Sequence, residues 1–96
     1  MANKYIWIAT VHNNTDEYDD SELSKFVTAS ESLLTVQSHV LKKVEKFVKY
    51  QNELGDYKCE YVRKRRGNLI TIEIGIDMDD EWTSMEWYEI RRVKLI

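Results

Sequence analysis

Residues 57–78 constrain the fold of this chain more than any other segment. Gly67-Asn68 stands between two runs of strand-forming residues, and a two-residue connection with glycine first suits a type II′ hairpin turn. Pairing residues 57–66 with residues 69–78 sets Arg66 opposite Leu69, Arg63 opposite Ile72, Tyr61 opposite Ile74, Cys59 opposite Ile76 and Lys58 opposite Asp77. Because side chains alternate along a strand, this register gathers Ile70, Ile72, Ile74 and Ile76 on one face with Cys59 and Tyr61. The opposite face then holds the pair Lys58 and Asp77, so an apolar pattern and a charge pair support one alignment. The same alternation divides the basic run: Arg63 and Arg65 go to one face, Lys64 and Arg66 to the other.

Lys4 to His12 (KYIWIATVH) is rich in β-branched and aromatic residues and predicts a strand. Asn13 to Asp20 supplies a polar loop, with Asp20 or Ser21 placed to cap a helix. Leu23, Phe26, Val27, Leu33, Leu34, Val40, Leu41, Val44, Phe47, Val48 and Leu54 then recur at helical spacing, and Gly55 suits the left-handed residue that closes a helix. An unbroken helix over residues 21–54 would be about 50 Å long, whereas a domain of this size has a radius of gyration of about 12 to 13 Å. A break is therefore expected near residues 28–32, where Thr28 and Glu31 have capping-box spacing. The alternative is a continuous helix whose overhang packs in a dimer, with Ser30, Gln37 and Gln51 interrupting its seam.

Met78 to Met85 reads as a connection and Glu86 to Ile96 as the last strand, with a change of phase at Arg91-Arg92 that predicts a bulge. The expected fold is α+β: one N-terminal strand, one long or two consecutive helices, then a three-stranded antiparallel meander, with the helices packed on one face of the sheet.

Ninety-six residues with 43% hydrophobic content suit one domain spanning residues 1–96. Cys59 is the only cysteine. A disulfide framework and a multi-cysteine metal site are thereby excluded, and the expected compartment is the cytoplasm. The opening MANKYIWIAT lacks a basic region and a cleavage site, and no stretch has the length of a membrane span.

Catalytic chemistry finds little support. His12 precedes Asp16, Asp19 and Asp20, but a lone histidine near carboxylates more often satisfies a strand end than moves protons for a substrate. His39 shares a helix face with Lys42, Lys43 and Lys46. Asp77 to Glu81 resembles a calcium loop in charge only, because Trp82 and Tyr88 occupy the positions where glycine and glutamate are needed. With no phosphate-binding glycine motif and no nucleophile elbow, neither a metal nor another cofactor is expected, and the chain reads as noncatalytic.

Binding to a larger protein fits more of the pattern. Asp16, Glu17, Asp19 and Asp20 form one acidic loop, Asp79, Asp80 and Glu81 another, and Trp82 and Trp87 stand beside the second as aromatic anchors. The first strand is apolar on both sides, so Tyr5 and Trp7 are candidates for a homodimer interface. The alternative is single-stranded nucleic acid, held by Arg63, Lys64, Arg65 and Arg66 of the hairpin with Lys42, Lys46 and Lys49 of the helix. A net charge of -3 weighs against it. In size, charge segregation and lack of catalytic motif the chain is similar in kind to small phage or mobile-element proteins that inhibit host defence nucleases. That likeness is one of character and carries no alignable motif.

Overall fold

The computed structural model describes residues 4–13, 24–55, 57–78 and 80–95, without the side chain at position 24. Its elements in chain order are β1 (Tyr5–Asn13), β2 (Ser24–Ser30), α1 (Leu33–Leu54), β3 (Lys58–Arg66), β4 (Leu69–Met78) and β5 (Glu81–Lys94). The strands form one five-stranded sheet in the order β2-β1-β5-β4-β3, and every pairing is antiparallel. Helix α1 packs on one face, so the fold is α+β.

The β3–β4 hairpin has the register expected from the sequence, from Lys58 opposite Asp77 through Arg66 opposite Leu69. Gly67 takes a φ of 57°, which a residue with a Cβ rarely adopts. Burial follows the alternation: Ile70, Ile72 and Ile74 are fully buried on the helix-covered face, joined by Cys59 and Ile90. Trp7 and Ala9 of β1, Tyr88 of β5 and the helix row Val36, Val40 and Val44 complete this core.

Helix α1 occupies less of the chain than its periodicity suggested. Residues 24–30, expected to be helical, form β2 and pair with Trp7 to His12 of β1. The spacing of Phe26 and Val27 is compatible with either structure in so short a window, and Phe26, Val27 and Thr28 favour the extended chain once β1 offers hydrogen bonds. The helix starts at Ser32, whose hydroxyl accepts a hydrogen bond from the Thr35 amide at 3.3 Å, in place of the expected cap at Asp20 or Ser21. Those two residues lie outside the described ones. Gly55 closes the helix in the left-handed conformation at φ 83°, as expected.

Helix α1 does not continue back through residues 24–30, and Gln37, read as a seam residue, instead accepts two hydrogen bonds from Arg63 at 2.9 and 3.1 Å. Strand β5 begins at Glu81 rather than Glu86. The expected bulge at Arg91-Arg92 is absent, since pairing with β1 runs through both residues without a shift. The irregularity lies earlier: Ile74 faces Glu86 and Gly75 faces Ser84, which leaves Met85 as an extra residue.

Candidate functional site

Bulge geometry decides where the tryptophans point. Trp82 and Trp87 are five positions apart, which in an unbroken strand sends side chains to opposite faces. The extra residue Met85 changes the phase, so Trp82 opposite Asp77 and Trp87 opposite Glu73 both lie on the helix-free face. The Trp82 ring lies on Gly75, where a Cβ would come within 2.5 Å of the indole carbons and 2.7 Å of the Thr83 carbonyl oxygen. Its Nε1 donates to Glu73 Oε1 at 2.9 Å. Glu73 thereby stands between the two tryptophans.

Rows of side chains cross this face from edge to edge. One runs from Ala29 through Ile8, Arg91 and Leu69 to Arg66; the next from Phe26 through Thr10, Glu89 and Thr71 to Lys64. The third passes from His12 through Trp87 and Glu73 to Val62. The His12 and Trp87 rings stack at 5.4 Å with 4° between their planes, and His12 Nε2 lies 3.1 Å from Thr10 Oγ1 and 3.5 Å from Glu89. Glu89 in turn holds Arg91 at 2.8 Å. Beside Trp82, a groove of about 400 Å³ opens between it and Val62, Lys64, Thr71 and Glu73.

Several large apolar side chains on this face have no covering element among the described residues: Phe26 is 68% exposed, Val62 45% and Trp82 40%. Cations and carboxylates are balanced there. On strands β3 to β5, Lys58, Lys64, Arg66 and Arg91 share the face with Glu60, Glu73, Asp77 and Glu89. Lys58 and Glu60 pair at 2.9 Å, which raises the lysine pKa through that hydrogen bond.

Other candidates distribute differently. Asp80 and Glu81 lie at the β4–β5 turn beside Trp82, with Asp80 at φ 67°. Asp16, Glu17, Asp19, Asp20 and Asp79 fall outside the described residues. Tyr5 and Trp7 are on the helix-covered face; Trp7 is buried under α1 with the Arg65 guanidinium 5.9 Å from its ring, and Arg92 lies 4.2 Å over Tyr5. They are therefore not the outward side of β1, whose residues are Ile6 and Ile8. Nor is β1 an edge, since it pairs with both β2 and β5.

The basic groups do not form one surface. Arg63 and Arg65 turn toward the helix side, while Lys64 lines the helix-free groove. Lys46 borders a cavity of about 650 Å³ with Lys43, Tyr50, Met85 and Glu86. By helical geometry that flank is opposite the one where Gln37 meets Arg63, and Lys42 and Lys49 point away from the sheet. In the same cavity burial pushes the Glu86 carboxyl above its ordinary pKa, and burial followed by the Glu86 charge raises Tyr88.

Asn52 near the end of α1 holds β3 at its start. Its side-chain amide accepts from the Cys59 N–H at 2.8 Å and donates to the Cys59 carbonyl at 3.1 Å. The Cys59 thiol is buried, and burial raises its pKa, which leaves it a poor nucleophile. Among the described residues no group of histidine, cysteine and carboxylates has the arrangement of a metal site, and no helix is long and apolar enough to cross a membrane.

No protein-family model matches the chain, and neither a curated protein nor a solved structure matches it. The bulge at Met85 and the close seat at Gly75 were invisible to strand periodicity. The glycine inside the isoleucine strand, Gly75, was the available signal, since glycine in a strand interior marks a bulge or a close approach.

Proposed function

We propose that this chain is a noncatalytic binding module that docks on a larger protein through the helix-free face of its sheet. The observation that supports this most is the shared orientation of Trp82 and Trp87, placed on one uncovered surface by a bulge and seated there by Gly75. Large aromatic side chains at the centre of a patch, with arginine and paired charges around them, are what protein interfaces favour. Asp80 and Glu81 add negative charge at the Trp82 end for a partner with a basic rim. A module of this kind acts by occupying a surface, so its effect on the partner is inhibition or modulation. The balance of lysine and arginine with carboxylates on this face argues for protein over nucleic acid, whose phosphates Glu73 and Glu89 would repel.

The test is capture from a bacterial lysate, with and without nuclease treatment, using the tagged protein and its Trp82→Ala/Trp87→Ala variant, after checking that both have the same circular dichroism. A protein retained by the first and lost with the second is the expected result. Equal retention by both removes the tryptophan face from the reading, and retention that disappears on nuclease treatment replaces it with nucleic-acid binding. Sedimentation of the free protein tests the second copy as occupant: a dimer dispersed by the tryptophan substitutions would mean that this face is used for self-association.

A further inference from the structure

Strand β3 is one edge of the sheet, and its outward backbone groups can be assigned residue by residue. Across a two-residue hairpin turn, Arg66 and Leu69 form a hydrogen-bonded pair, so Lys64, Val62, Glu60 and Lys58 direct their N–H and C=O toward β4. Cys59, Tyr61, Arg63 and Arg65 direct theirs outward. At Cys59 that outward pair is already taken by the Asn52 amide, which donates and accepts as a neighbouring strand would. Tyr61, Arg63 and Arg65 continue the same edge, and no backbone group of the described residues bonds to them from outside.

From this arrangement we infer that β3 accepts an extended segment of the partner protein as a sixth strand, hydrogen-bonded at Tyr61, Arg63 and Arg65. The side chains on either side of that edge define the segment's chemistry. On the helix side it meets the cations Arg63 and Arg65; on the helix-free side it meets Val62, the Lys64 side chain and the groove they share with Thr71, Glu73 and Trp82. An extended segment alternating carboxylates with aliphatic residues satisfies both sides, because its own side chains alternate at the same period. Cations along an edge also discourage pairing with a second β3, so the charges that admit an acidic strand exclude self-association there.

This inference rests on the reading of the chain as a protein-binding module, and its test separates the two. Amide hydrogen exchange is followed by NMR on the whole chain, alone and with a blocked peptide of alternating glutamate and valine. In the free protein the Cys59 amide should exchange slowly, held by Asn52, while Tyr61, Arg63 and Arg65 exchange quickly. Saturating peptide should slow those three at least tenfold and shift the Trp82 indole resonance. The lysine–valine peptide, and a glutamate–valine peptide N-methylated at alternate residues, should do neither, and Arg63→Glu/Arg65→Glu should reverse the preference between glutamate and lysine.

Equal binding of the N-methylated peptide would overturn strand addition in favour of simple ion pairing. Unchanged exchange with every peptide would overturn it as well, and leave the tryptophan face standing if lysate capture still depends on Trp82 and Trp87. Slowed exchange with a thymidine oligonucleotide but with no peptide would assign the edge to phosphate.

Discussion

Ile70, Ile72, Ile74 and Ile90 on the helix-covered face are fully buried, whereas on the other side of the same sheet Val62, Trp82 and Val93 keep 45%, 40% and 39% of their surface exposed. The two faces are made by alternate residues of one backbone, and both carry large apolar groups. What separates them is α1, which covers one and leaves the other open. Burial on the covered face stabilises the fold by about 1.5 to 3 kcal/mol for each large side chain. The open face contributes little to that core and leaves its apolar area exposed.

The comparison breaks most sharply at the centre of each face. Ile72→Ala should cost about 2 to 5 kcal/mol in urea denaturation, whereas Val62→Ala should change stability by about 0.5 kcal/mol or less. Comparable losses would mean that the helix-free face is buried in the folded species, as in an obligate dimer.

A sharper probe is Gly75→Ala, where the added methyl meets the Trp82 ring and the Thr83 carbonyl oxygen. The expected cost is about 1 to 3 kcal/mol, with a change in tryptophan emission as Trp82 leaves its seat. Adding Trp82→Ala should restore only part of the loss, because the Thr83 carbonyl is backbone and stays.

The smallest effect is expected from Glu86, half-buried between the helix and the sheet. Its folded pKa lies above the ordinary glutamate value of 4.5, so the unfolded chain releases this proton at lower pH than the folded one does. Stability therefore falls as pH rises from the ordinary value to the raised one. Glu86→Gln should remove that decline, giving a slightly higher Tm above the window and an unchanged Tm below it. Water around the carboxyl keeps the gain small. A gain equal at every pH would assign it to packing instead.

Local patterns with one physical solution were legible in the sequence. Gly67-Asn68 and the isoleucine alternation specify a register, because shifting it by one residue would turn every isoleucine to the wrong face. Gly55 likewise marks a helix end. Residues 24–30 were misread because their structure is set by β1, a partner distant in sequence, and not by their own periodicity. Tyr5 and Trp7 were candidates for a homodimer interface because both sides of β1 are apolar, and only the position of the helix distinguishes the two sides. Trp82 and Trp87 were singled out as anchors, yet the reason they share one face lies in pairing across β4 and β5. The separation of Lys46 from Arg63 to Arg66 is also tertiary, since both groups look equally basic along the chain.

Met85 also governs how this protein tolerates changes of length. It is the residue on β5 that the pairing with β4 does not use, so its removal preserves the partners of Glu86 and Ser84 and leaves both tryptophans in phase. Removing a paired residue between Trp87 and Arg91 would instead exchange inside for outside along half the strand. Across a family of related chains, insertions and deletions in β5 would then collect at this one position, and their distribution would read out which surface selection has kept in register.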